Sequence, residues 1–282
     1  MISVVMATYN GEQYIIEQIE SIVNQTVHVD ELIICDDMSS DRTVEIIKSY
    51  IDEKELSQTI KLYQNSQNVG YIRNFYNGIK RSHGEYIFLA DQDDAWEVNK
   101  VERMLATMHV CNAEVLCSNF SLIDANGKAY SKKARIPEFV QNAPDGVSKI
   151  KFLPLLFGNV AQGCTYCFTK KVKDVYLSAN YDKIIHDYQI MLIGSAMDGA
   201  YFLNEKLIRY RLHGNNNIGF SEKKTLKHID FRLKVKKPKV ACFIDCIKNE
   251  IYIPHYMIAQ VVLYLKLPVW KAVFNRFFGR KE

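Results

Sequence analysis

The sequence of 282 residues contains no internal repeat and no low-complexity tract, which excludes a solenoid and a disordered linker protein. No second cysteine pair lies at zinc-ribbon distance from Cys164-Thr165-Tyr166-Cys167. This lone C-x-x-C among apolar neighbours therefore reads as core or pocket packing, not as a zinc or redox centre. The seven cysteines are irregularly spaced and odd in number, and no signal peptide precedes Met1-Ile2-Ser3-Val4-Val5. Reduced thiols in a cytoplasmic protein are expected. The apolar run Met257 to Leu267 is 11 residues long, too short for a hydrocarbon core of about 30 Å. Thr8-Tyr9-Asn10-Gly11 follows the first strand-like segment without the glycines and basic residue of a phosphate-gripping loop, which argues against a nucleotidyltransferase.

What is present supports a full hydrophobic core: 48% of the residues are hydrophobic. The length suits one large α/β domain with an appendage, or two small domains. The net charge of +4 conceals an asymmetry. Residues 1–220 hold 22 Lys and Arg against 27 Asp and Glu, whereas residues 221–282 hold 14 against 5. The body is acidic, and the basic tail seeks an anionic partner such as a membrane surface; nucleic acid is not expected as its ligand.

Hydrophobic patterning predicts strands at 2–7, 31–35, 60–63 and 86–90, with helices at 11–24, 44–51 and 71–81 between them. Ser40 or Asp41 is a natural cap for the second helix. Such βαβαβαβ alternation predicts a parallel sheet with helices on both faces. Beyond Asn99 the pattern loosens to a helix reaching Cys111, a strand over 114–121 and a turn at Asn126-Gly127. An irregular stretch with Pro137, Pro144 and Gly146 is expected to be a mobile loop near the site. A strand over 164–169, a helix from His186 to Ser195 and a strand pair over 201–211 complete the prediction.

Asp91-Gln92-Asp93-Asp94 ends the apolar segment Tyr86 to Ala90 in three carboxylates. Ligands of parallel sheets sit beyond the carboxyl ends of the strands, and crowded acids there would be relieved by a divalent cation on a diphosphate. Thr8-Tyr9-Asn10, Asp36-Asp37 and His213 also follow strands, so four polar clusters would converge on one crevice.

These motifs, together with Met38-Ser39-Ser40-Asp41-Arg42-Thr43, Asn68-Val69-Gly70, Asn74, Gly78 and His186-Asp187, occur in the order seen in family 2 glycosyltransferases of the GT-A fold. The resemblance covers about residues 1 to 215, and Trp96 and Tyr210-Arg211-Leu212-His213-Gly214-Asn215-Asn216 make it most similar to bacterial rhamnosyltransferases of surface polysaccharide assembly. It implies a mostly parallel, Rossmann-like central sheet flanked by helices, with a catalytic domain at 1–218 and a basic, amphipathic helical region at 219–282.

The resemblance also implies roles. Thr8, Tyr9, Asn10, Asp37, Arg73, Asp91 and Gln92 fall at nucleotide-sugar positions. Tyr9 would stack on the base, Asp37 would accept the pyrimidine N–H and Asp91 would face the ribose. Asp37 as a helix cap and Arg73 as a plain surface residue are the structural alternatives. Asp93 and His213 would hold Mn²⁺ or Mg²⁺, although a lone histidine is often just hydrogen-bonded. Asp94 is expected to bond backbone N–H groups. Asp187 aligns with the catalytic base, at a helix start where the charged carboxylate is ordinarily favoured. Trp96, Gly163 and Cys164 would shape the acceptor site, with Trp96 as a core plug the alternative. Together these imply an inverting, metal-dependent transfer, with dTDP-L-rhamnose favoured over a UDP-hexose as donor. A sugar-nucleotide-binding protein without turnover is the rival reading, opposed by the presence of Asp93 and Asp187.

In the tail, residues 221–240 carry eight Lys and Arg, and Val269, Trp270, Val273, Phe274 and Phe277 fall on one helical face. This pattern suits an interfacial helix at an anionic membrane, serving a lipid-linked saccharide acceptor on the inner face of a bacterial cell membrane, or a contact with a second subunit in a homodimer.

Overall fold

In the computed structural model the described residues are 1–130, 146–155, 159–179 and 185–213. Alternation of strand and helix begins as the hydrophobic pattern requires: β1 (Ile2–Thr8), α1 (Ile15–Val23), β2 (Glu31–Asp36), α2 (Thr43–Glu53), β3 (Ile60–Gln64), α3 (Tyr71–Arg81) and β4 (Tyr86–Asp91). Then follow β5 (Ala95–Trp96), α4 (Lys100–Cys111), β6 (Val115–Ile123), β7 (Val147–Lys149), α5 (Phe152–Leu155), β8 (Tyr166–Thr169), α6 (Lys170–Ala179), α7 (His186–Ala196) and β9 (Ala200–Arg211).

One sheet runs β3-β2-β1-β4-β8-β6-β9-β5, with β7 paired to β9. The first four strands are parallel to one another. The second half is mixed. Antiparallel β8 is inserted between β4 and β6, β6 and β9 run parallel, and β5 and β7 lie antiparallel to β9.

The strands β1, β2 and β4 are buried on both faces, successive side chains pointing to opposite layers. Val5, Ile87 and Leu89 pack with Phe75 and Ile79 of α3 and with α6 and α7. Val4, Met6, Phe88 and Ala90 pack instead with Ile15, Ile19 and Ile22 of α1 and with Val101 and Met104 of α4. Each such fully buried aliphatic side chain contributes about 1.5–3 kcal/mol of transfer free energy. Gly78 lets α3 settle onto β1: a Cβ there would come within 2.4 Å of Val5 Cγ1.

The expected strand pair at 201–211 is instead the single strand β9. The middle of β9, Asn204-Glu205-Lys206, is polar. These residues lie where the β6–β9 register shifts around Asn119, and Asn204 and Lys206 are exposed. The five cysteines among the described residues are free, four of them buried, as packing predicts. No helix among the described residues is long and apolar enough to cross a membrane. The expected loop around Pro137 and Pro144, and the tail from 214 onward, lie outside the described residues.

Candidate active site

Parallel register brings the ends of β1, β2 and β4 level, with Ala7 beside Cys35 on one side and Asp91 on the other. Beyond them opens a cleft of about 1430 Å³, lined by residues from both halves of the sheet. Thr8, Tyr9, Asn10, Asp37, Asp91, Gln92, Asp93, Gly163, Asp187 and His213 all border it.

At one end of the cleft the polar groups are tightly tethered. Asp37 Oδ1 accepts Val69 N–H at 2.8 Å and Asn65 Nδ2 at 3.0 Å, while Oδ2 accepts Gly70 N–H at 2.8 Å. Asn65 also donates to Asn74, which donates to Cys35 O. The Asn68-Val69-Gly70 and Asn74 motif thus positions Asp37, and Gly70 at φ +79° takes the left-handed turn that begins α3. An ionised carboxylate offers about four acceptor sites, so Asp37 keeps one for a ligand. Asp37 does not cap a helix through its side chain; it caps the 68–70 turn. Tyr9 is 43% exposed, its ring available for stacking.

Three neighbours serve the scaffold. Thr8 is buried and donates to Asp36 at 3.0 Å. Asn10 accepts Ser40 N–H through Oδ1 and donates its own N–H to Ser39 Oγ, pinning the loop after β2. Gln92 clamps the Tyr9 backbone from both sides, accepting its N–H at 2.8 Å and donating to its carbonyl at 3.0 Å. Arg73 does not border the cleft; its guanidinium lies over the Tyr76 ring on the exposed side of α3.

The acidic run divides. Asp94 is fully buried and accepts Arg211 N–H at 3.0 Å through Oδ1, as expected of a backbone-bonding residue, while among the described residues Oδ2 has no N–H or O–H donor and the Cys164 thiol lies nearby. Burial first, then the nearby Asp93, push Asp91 up to about 7. Asp93 Oδ2 lies 2.7 Å from His213 Nε2, bringing together two residues 120 apart in sequence. Arg211 holds this junction: its Nε donates to Asp93 O at 2.8 Å, and its guanidinium pairs with Glu17 and covers the Tyr14 ring.

At the far wall Asp187 occupies the first turn of α7. The helix start should favour its charged form, but the residue is only 9% exposed, and burial outweighs the bond from Tyr188 N–H and those from Gly163 and Asn159. Its carboxyl is pushed up to about 6. Gly163 touches it directly, since a Cβ there would lie 3.2 Å from Asp187 Cβ and 3.0 Å from His186 Nε2. His186 stacks on Phe75 at 4.0 Å, buried and depressed to about 3 by desolvation.

Two acceptor candidates lie elsewhere. Trp96 is 2% exposed, packed on Phe88 and Lys100, which corrects the acceptor-face reading in favour of the core plug. Cys164 is fully buried behind Gly163 and does not border the cleft.

The model of glycosyl transferase family 2 matches residues 3–175. The chain belongs to this family. Among relatives of this glycosyltransferase is the dTDP-rhamnosyl transferase RfbG of Shigella flexneri, 26% identical over 82% of this chain and 77% of the relative. The putative teichuronic acid biosynthesis glycosyltransferase TuaG of Bacillus subtilis is 27% identical over 89% of this chain and 96% of its own. The S. aureus TarS 1-349 structure in complex with UDP-GlcNAc superposes with a TM-score of 0.60 at 16% identity, covering 78% of this chain and 62% of TarS 1-349, a likeness of fold.

Several residues of the glycosyltransferase cleft escaped sequence reading. Asn159, Tyr71 and Ser118 border it without a motif of their own. Arg211 stood inside a quoted motif, yet only the tertiary contacts reveal its bond to the acidic run.

Proposed function

We propose that this glycosyltransferase moves a sugar from a nucleotide donor to a saccharide acceptor with inversion, in the synthesis of a bacterial surface polysaccharide. One observation carries the reading: the acidic strand end and the desolvated Asp187 face one cleft, the arrangement that in-line displacement at an anomeric carbon requires. Tyr9 and Asp37 bind the base, and Asp91 faces the ribose. Asp187, raised toward neutrality, takes the proton of the acceptor hydroxyl as the new bond forms.

Asp93 and His213 fit a divalent cation, one carboxylate oxygen and one imidazole nitrogen meeting on the cleft wall. Such an ion, when bound, neutralises charge on the departing nucleoside diphosphate. Gly163, lacking a Cβ, lets its turn pack directly against Asp187 and His186 at the cleft wall.

The name of RfbG favours dTDP-L-rhamnose as donor. A UDP-hexose is the second reading, favoured by the E. coli relative named UDP-Glc:alpha-D-GlcNAc-diphosphoundecaprenol beta-1,3-glucosyltransferase WfgD, 32% identical over 45% of this chain. That name also favours a lipid-linked acceptor, which the basic tail would meet at the inner face of the cell membrane. A screen of nucleotide sugars with Mn²⁺ or Mg²⁺, read as nucleoside diphosphate release, tests donor and metal together. Absence of release from every dTDP- and UDP-sugar would overturn the reading.

A further inference from the structure

Beneath the cleft, Lys100 opens α4 with a side chain that is 0% exposed, among the largest fully buried ones in the fold. Burying an ammonium costs several kcal/mol unless it is compensated. Its Nζ donates to the backbone carbonyl of Cys164 at 2.9 Å and lies 3.5 Å from the centroid of the Trp96 ring. Asp91 and Asp94 act on it electrostatically, and their carboxylates lie within 4.8 Å of each other and of Cys164 Sγ. Those three groups have the make-up of a small metal site. The cation that faces them is this lysine.

The Cys164 carbonyl belongs to the turn Gly163–Thr165. The residue before it, Gly163, supplies an N–H to the Asp187 carboxylate and packs against its Cβ. The bond from Nζ to Cys164 O therefore links Lys100 to the turn on which Asp187 rests, while Lys100 and the acidic strand end act on each other through space. A buried lysine serving the core alone would be replaceable by an apolar side chain of similar volume.

We propose that Lys100 is a positioning residue, tying the 163–165 turn to the acidic strand end and so setting the separation between the leaving-group carboxylates and Asp187. The proposal rests on Asp187 being the base. Reach carries the tie: the bond to Cys164 O fixes the turn, while burial lowers Lys100 to about 7 against the opposing pull of the groups around it, Asp94 and Asp91 among them.

The test compares wild type, Lys100→Met, Lys100→Gln and Asp187→Asn in the full chain. The substrate is whichever nucleotide sugar wild type turns over with Mn²⁺, and rates are normalised to folded protein by circular dichroism. Met removes both charge and hydrogen bond, and Gln keeps an N–H donor without charge. Positioning predicts a loss in kcat of roughly 10²-fold for Met, the scale of an ångström-sized misplacement, with a smaller loss for Gln. Binding of the bare nucleoside diphosphate stays unchanged, and the acid limb of the kcat–pH profile moves in the Met variant. Unchanged kcat and pH profile per folded molecule, with Asp187→Asn inactive, would overturn the positioning role alone. An active Asp187→Asn would remove the base assignment on which it stands. Failure of both Lys100 variants to fold would assign the residue to the core and also overturn the proposal.

Discussion

The two ends of the cleft treat their carboxylates in opposite ways. Asp37, at the end of β2, accepts three N–H groups within 3.0 Å. Asp91 and Asp187 are raised by desolvation to about 7 and about 6, and beneath them the buried Asp94 keeps one oxygen without an N–H or O–H donor among the described residues. Satisfied carboxylates are rigid and selective, which suits recognition of a base. Poorly solvated ones resist ionisation, which suits a group that must take a proton or meet a cation. The fold builds the first kind from neighbouring βα turns and the second from strands and helices brought together across the sheet.

The sharpest way to break this comparison is at Asp187. Replacement by Asn is expected to abolish measurable transfer, a loss of about 10²–10⁴-fold from the proton-transfer contribution, while nucleoside diphosphate binding measured by calorimetry is kept. An active variant would put the base elsewhere. Gly163→Ala is expected to act through the same group: the added methyl meets His186 and Asp187, so kcat should fall on the order of tenfold or more with little change in donor binding.

At the recognition end the opposite signature is expected. Asp37→Ala strands the Val69 and Gly70 N–H groups, each partly buried, and should cost about 1–3 kcal/mol of stability by denaturant titration and raise the donor KM. Equal losses of kcat in the Asp37 and Asp187 variants would erase the distinction.

The smallest effect is in pH dependence. With Asp187 raised to about 6, kcat should increase as pH rises through about 6, following the deprotonated base. Stability moves the other way. The folded pKa lies above 3.8, the value of the solvent-exposed group in the unfolded chain, so the folded state binds the proton more tightly. Asp187 therefore withdraws stability as pH rises from about 4 to about 6. A kcat flat between pH 5 and pH 8 would remove the raised base from the mechanism.

Much of this was legible in the residues. The buried strands β1, β2 and β4 announced themselves by unbroken apolar runs, and Ile15, Ile19 and Ile22 by helical spacing; all six of these elements and residues sit in the core as patterned. Tyr9, Asp37, Asp91, Asp93, Asp187 and His213 do meet in one cleft. Local pattern misread β9, whose middle is polar, and only the register shift against β6 shows why the strand continues. It did not foresee that the Gln92 amide bonds the Tyr9 backbone, and it misplaced Arg73, which lies over Tyr76 away from the cleft. Side-chain direction at a strand end depends on partners far away in sequence, and no spacing rule encodes it.

By itself, the order of apolar runs and polar strand ends determined the parallel half of the sheet, because burial on both faces and ligand binding at carboxyl ends follow from local periodicity, and the ordered motifs carried the resemblance to the family. Tertiary structure alone decided the protonation of the acids. Lys100, Gly163, Arg211 and Asp187 are scattered over more than a hundred residues, and desolvation is a property of what packs around a group, not of its neighbours in the chain.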